Sequence, residues 1–138
     1  MKRYEQFPHT ADIGVRVYGK DLKELFANAA VAMFDIIADL ENLSGDTVES
    51  IELEAPNAEE LLISWLDELL YNFYTKQLIF FAFQMDELSD TKLKAKAVGR
   101  PIGANRNRLK TEIKAATYYN LKIVKTADGY EVEIVFDV

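Results

Sequence analysis

The chain has 138 residues, 49% of them hydrophobic and 28% charged, with a net charge of −7 and no cysteine. One domain of this length buries about two thirds of the surface its unfolded chain would expose, so neither a disulfide nor a structural metal is needed for folding. The composition excludes a disulfide framework and a thiolate metal site, no uncharged apolar run reaches the roughly 18 residues of a membrane span, and the acidity argues against autonomous nucleic-acid binding.

The opening Met1-Lys2-Arg3-Tyr4-Glu5 lacks the apolar core of a secretory signal. A cytoplasmic protein with no membrane association is the expectation. The charges are unevenly spread. Glu41 to Thr75 holds nine acidic residues and no Lys or Arg, whereas Arg100 to Lys114 holds Arg100, Arg106, Arg108, Lys110 and Lys114 against Glu112 alone. Solvated faces explain such a division more often than a binding surface does.

In chain order, Ile13, Val15 and Val17 alternate with Gly14, Arg16 and Tyr18, which predicts a strand over 13–18 that Gly19 closes. Asp21 and Glu24 have capping-box spacing, and the apolar residues that follow predict a helix from Leu22 to Ala38. A second strand is expected over Val48 to Glu54. Asn57 and Glu60 then cap a second helix with Leu62, Trp65, Leu66, Leu69, Leu70 and Phe73 on its buried stripe.

Beyond it, Ile79 to Leu88 and Lys92 to Gly99 read as a hairpin turning at Ser89-Asp90. Pro101, Gly103 and Asn105 mark a loop. Thr111 to Lys125 is extended in part, as one bent strand or two. Asp128-Gly129 is a hairpin-turn signal, after which Tyr130, Val132, Ile134 and Phe136 face inward while Glu131, Glu133 and Asp137 face the other way. The expected fold is α+β: a single compact domain over residues 1–138, with two helices packed on a largely antiparallel sheet.

The ends of the chain carry the chemistry. Asp137 and the Val138 main-chain carboxylate close it, and His9, the only histidine, lies three residues before Asp12 at the mouth of the 13–18 strand. If the first and last strands are neighbours, Asp12, Asp137 and Val138 converge into an oxygen-rich site for a divalent cation of the calcium, magnesium or manganese class, and a contribution from His9 would shift the preference toward a transition ion. Taken singly, Asp12 is also an ordinary turn residue and His9 an ordinary cap. Asp67 and Glu68 read as an exposed helical face. A small metal-dependent hydrolase or nuclease would use clustered carboxylates too, but there is no second histidine and no His-Glu-x-x-His motif. A chaperone-like interaction module is a third reading.

Five fragments, in order along the chain, resemble the archease family: His9-Thr10-Ala11-Asp12-Ile13-Gly14, Tyr18-Gly19-Lys20, Trp65-Leu66-Asp67-Glu68-Leu69-Leu70-Tyr71, Leu109-Lys110-Thr111-Glu112-Ile113-Lys114-Ala115 and Phe136-Asp137-Val138. The likeness runs from about Phe7 to the last residue. It implies a non-catalytic activator of an RtcB-type RNA ligase in tRNA splicing, which promotes ligase guanylylation and turnover and meets tRNA only through the ligase. By the same likeness Asp12, Asp137 and Val138 form the metal site and Lys114 is a further functional position. Tyr119 stands where archeases commonly carry a histidine, so no role of that histidine transfers.

Overall fold

The computed structural model describes residues 2–9 and 12–138, with every side chain among them except that of His9. Thr10 and Ala11 of the first motif, and the expected part of the His9 imidazole in a metal site, lie outside the described residues.

The chain runs β1 (Tyr4–His9), β2 (Asp12–Gly19), α1 (Leu22–Ile37), β3 (Thr47–Glu54), α2 (Ala58–Lys76), β4 (Leu78–Leu88) and β5 (Lys92–Pro101). A short 3-10 helix, Gly103–Arg108, precedes β6 (Ala115–Ala116), β7 (Val124–Thr126) and β8 (Gly129–Asp137). The α+β class stands, with every strand pairing antiparallel. The strands divide between two sheets: one of five strands in the order β1, β2, β8, β6 with β7 also on β8, and one of three in the order β3, β5, β4.

Both helices begin where their capping residues require. The Asp21 carboxylate accepts the Glu24 N–H at 2.8 Å, and the Glu24 carboxylate accepts the Lys20 N–H at 3.2 Å. Asn57 Oδ1 likewise accepts the Glu60 N–H at 2.9 Å, satisfying a donor that would otherwise lack an intrahelical partner. α1 stops one residue short of the expected Ala38, whose extended backbone forms a bridge with Leu109.

α1 is buried on most of its circumference, from Leu25 to Ile37, because it packs against β2 of one sheet and β4 of the other. A helix apolar nearly all round belongs inside a protein, and here it joins the two sheets into one core. Trp65 of α2 donates its indole N–H to the Phe26 carbonyl at 3.0 Å, and Phe34 meets Phe73 and Phe80 edge-on with centroids 6.1 and 5.5 Å apart. Truncating Phe34 to Ala would leave a cavity where α1, α2 and β4 meet and would cost about 3–5 kcal/mol. The buried Asn28 is fully used, donating to the Tyr18 carbonyl at 2.7 Å and accepting from Arg3 Nε at 2.9 Å.

β1 has no counterpart among the sequence expectations. It is an edge strand containing Pro8, with Glu5 and Gln6 in its middle, so its apolar alternation is too weak to show. The ambiguous stretch 111–125 resolves into two short strands on the same edge of β8. Thr117 still bonds the Val135 carbonyl through its N–H at 3.0 Å; the chain then leaves the sheet in a turn with Asn120 at φ 49° and returns at Val124.

The acid-rich stretch is not an isolated acidic face. Register sets Glu52 opposite Lys94 and Glu54 opposite Lys92, with ion-pair distances of 3.9 and 3.7 Å, and Lys76 reaches Glu49 at 2.9 Å. Among the described residues no helix is long and apolar enough to cross a membrane.

Candidate functional site

Strand pairing sets the residues singled out at the chain ends on one row of the five-stranded sheet. β2 and β8 pair with Ile13 opposite Phe136, so the next position along sets Asp12 opposite Asp137. On the flanking strands, His9 pairs with Asp12 and Ala115 pairs with Asp137. Directly opposed residues in an antiparallel pair have Cβ atoms about 4.5–5.5 Å apart on the same face, a spacing two carboxylates can bridge with one cation.

Which face they share follows from alternation. Val15, Val17, Val132, Ile134 and Phe136 are buried in the core, so Asp12 and Asp137 belong to the opposite face, and Asp137 is exposed. An ionised carboxylate there avoids the several kcal/mol of desolvation it would meet inside.

The terminus is held, not frayed. The Asp137 carbonyl accepts the Lys114 N–H at 2.8 Å, and the Val138 side chain is partly buried against the core. Lys114 therefore reaches the site through its backbone, while its side chain is exposed. The strip carrying Lys114 is braced in turn by α2. Asp67 Oδ1 accepts the Ala116 N–H at 3.3 Å, and the Tyr74 hydroxyl donates to the Ile113 carbonyl at 2.6 Å. Desolvation raises the Asp67 carboxyl above its ordinary range, and the Ala116 amide only partly offsets that. Sequence reasoning assigned Asp67 to an exposed helical face, which it is, but could not see the strand it holds; only its place in the fourth-turn series Asp67, Tyr71, Tyr74 hinted at a common edge.

A second group missed by sequence reading lies beside the acidic row. The Phe7 ring covers Gly14 so closely that a Cβ at Gly14 would sit 2.3 Å from Phe7 Cε2. The Arg16 guanidinium lies 5.8 Å from the centre of that ring, bonds Glu133 through Nε at 3.1 Å and bonds Glu5 through Nη1 at 3.0 Å. Hydrogen bonds from the Tyr18 hydroxyl and from Lys2, with help from Arg16, hold the Glu5 carboxyl down at about 2. This network shares the sheet face of the row, with Gly14 two and Arg16 four positions along β2 from Asp12. Tyr119 lies exposed in the turn that leaves β8, outside the row itself.

As a metal centre the row fits a hard ion incompletely. Among the described residues no three His, Asp or Glu side chains cluster. The aligned set is two aspartates with Val138 beyond, all oxygen donors, which suits calcium, magnesium or manganese with the remaining positions filled by water or by another molecule.

These features define a small α+β protein with a carboxylate row at the strand ends of its five-stranded sheet. Residues 4–138 match the family described as the Archease protein family (MTH1598/TM1083), and the chain belongs to the archease family. It is 43% identical to the protein archease of Methanosarcina barkeri, over 99% of this chain and 97% of that one, and 40% identical to the protein archease of Pyrococcus abyssi, over 94% and 93%. The solution structure of Methanobacterium thermoautotrophicum protein 1598 superposes with a TM-score of 0.82 at 30% identity, covering 100% of both chains. The crystal structure of a Thermotoga maritima archease, described as a possible chaperone, shares the fold with a TM-score of 0.64 at 23% identity over 97% of this chain and 96% of that one.

Proposed function

We propose that this protein is a non-catalytic, metal-binding activator of an RtcB-type RNA ligase, which promotes guanylylation of the ligase histidine and its turnover in tRNA splicing. The observation that carries the reading is the β2 to β8 register, which aligns Asp12 with Asp137 on the solvent face. Asp12, Asp137 and the Val138 carboxylate would hold the cation. A bound divalent ion neutralises triphosphate and pyrophosphate charge during nucleotidyl transfer. The chain's own part is positional: β2 and β6 fix Asp137 from both sides, and Asp67 and Tyr74 fix the strip that carries Lys114. The incomplete donor set suits an ion shared with a partner, because two side chains and a terminus leave coordination positions for ligase or nucleotide oxygens.

The test is a guanylylation assay of purified ligase with and without this protein. Asp12→Asn and Asp137→Asn should each lower activation at saturating protein about tenfold or more, with apo-protein stability little changed. The double substitution should cost little more than either one, since residues serving one ion act as a unit. Metal-dependent RNA cleavage by this chain alone, abolished by either substitution, would replace the activator reading with a hydrolase. Unchanged activation by both variants, with general suppression of protein aggregation, would replace it with a chaperone.

A further inference from the structure

Resting on the activator reading, we propose that the ligase is gripped at a second place: the cleft between the C-terminal ends of α1 and α2 and the segment 102–112, which receives an acidic stretch of the ligase carrying one apolar anchor residue.

The cleft has a volume of about 380 Å³ and is lined by the buried Ile37, Phe73 and Ile102, the half-buried Leu109 and the exposed Tyr74, Arg106 and Lys110, so burial makes its floor apolar and its rim cationic. That is the low end of the range for ligand pockets and large enough for one or two side chains. An apolar floor beneath a cationic rim selects a partner with an apolar group flanked by carboxylates. Tyr and Arg are the residue types that dominate interface energetics, and here Tyr74 is pinned by its bond to Ile113 while Arg106 is steadied by Gln77 at 3.1 Å. Such pre-ordered groups lose little freedom on binding.

Charge complementarity makes the choice of occupant specific. Among the described residues, none of the five cations between Arg100 and Lys114 forms an ion pair. Arg100 and Arg108 donate to main-chain carbonyls and Arg106 to a neutral amide. In a chain of net charge −7 this is a concentrated group of cations without a carboxylate partner among the described residues. RNA would find the same cations, and Glu112 opposes carboxylate and phosphate alike, but the apolar lining favours a peptide with an apolar anchor over a phosphate backbone.

Position supplies the functional link. Lys110 and Thr111 line both this cleft and a smaller hollow of about 200 Å³ that reaches Ile13 on the core-facing side of β2, one residue from the strand end where Asp12 lies. Along the chain, Lys110 to Lys114 is at most about 14 Å of extended backbone, and Lys114 bonds Asp137. A ligase held in the cleft would thus have its nucleotide-binding surface within reach of the acidic row.

Binding of the full-length chain to purified ligase should be measured by calorimetry for wild type, Arg106→Glu/Lys110→Glu and Asp137→Asn. The double reversal lies at exposed positions and should retain the wild-type circular dichroism spectrum and manganese affinity, while ligase affinity falls about tenfold or more and the maximal activated rate returns when enough protein is added. Asp137→Asn should do the reverse, keeping affinity within about twofold and losing the maximal rate. Unchanged ligase affinity in the double reversal, with wild type active, would overturn the cleft and leave the activator reading standing. So would RNA binding by the isolated chain that the reversal abolishes. Absence of both binding and activation in wild type would bring down the two readings together.

Discussion

The lysines at Lys92, Lys94 and Lys96 on the three-stranded sheet and the five cations of the strip from Arg100 to Lys114 are treated in opposite ways. On β5, Lys92, Lys94 and Lys96 each face a carboxylate, Glu54, Glu52 and Asp86 respectively, at 3.7, 3.9 and 3.3 Å. On the strip no cation has one among the described residues. Exposed pairs contribute only about 0–1 kcal/mol each, so the lysines of β5 do not hold the molecule together; they specify which residue stands opposite which, since a slipped register would set like charges side by side. Charges with internal partners are spent on the fold. Those without them remain available to another molecule, and the last of them, Lys114, is bonded through its N–H to Asp137.

The largest break in this comparison should come from the open side. Extending the chain beyond Val138 with a tag converts its carboxylate to an amide carbonyl and crowds Asp137; activation of the ligase should fall about tenfold, as for loss of a charge-stabilising ligand, while the thermal midpoint stays put. Equal activation by tagged and untagged protein at limiting concentration would show that the terminus plays no part. Asp67→Ala comes next. It removes the acceptor of the Ala116 N–H, should cost about 1–2 kcal/mol, and should speed amide exchange at residues 115–117 more than elsewhere. Uniform exchange changes across the domain would deny Asp67 its bracing role.

On the closed side, Lys94→Glu sets a like charge opposite Glu52. A loss of about 0.5–1 kcal/mol in chemical denaturation, with ligase activation unaffected, is expected; a fall in activation would mean that the paired sheet also contacts the ligase. The smallest effect is a pH dependence. Glu5 sits at about 2 in the folded protein against an ordinary 4.5, so as pH falls the unfolded chain takes up this proton first. Its stabilisation is therefore complete above about 4.5 and disappears as pH drops through about 2. Glu5→Gln should flatten the acid limb of the stability curve across that window, and an unaltered limb would show that Tyr18 and Lys2 do not hold the carboxylate.

Much of this architecture was legible in the sequence because it is local. Asp21 with Glu24 and Asn57 with Glu60 mark the helix starts through bonds spanning three residues, and alternation along 130–137 assigned Asp137 to its face. Neighbourhood was harder to read. Alternation says which face a residue takes but not which strand lies beside it, so the split into two sheets, the edge strand Tyr4–His9 and the brace from Asp67 to Ala116 were invisible. Asp12 and Asp137 could be nominated from their places at strand ends, but their alignment depended on a pairing between opposite ends of the chain. The cations of the strip were visible as a cluster, whereas the main-chain carbonyls and the amide that Arg100, Arg106 and Arg108 bond belong to distant segments of the chain.

β8 is the last strand made and the middle strand of its sheet, flanked by β2 on one side and by β6 and β7 on the other. During synthesis, β1 and β2 therefore keep one edge unpaired, with α1 against their face, until β8 has been produced. Strand insertion then seals that edge, buries Val132, Ile134 and Phe136, and brings Asp137 up to Asp12 in the same event. Until β8 is in place Asp12 has no Asp137 across from it, so on the activator reading the proposed cation site is completed only by the insertion of this strand.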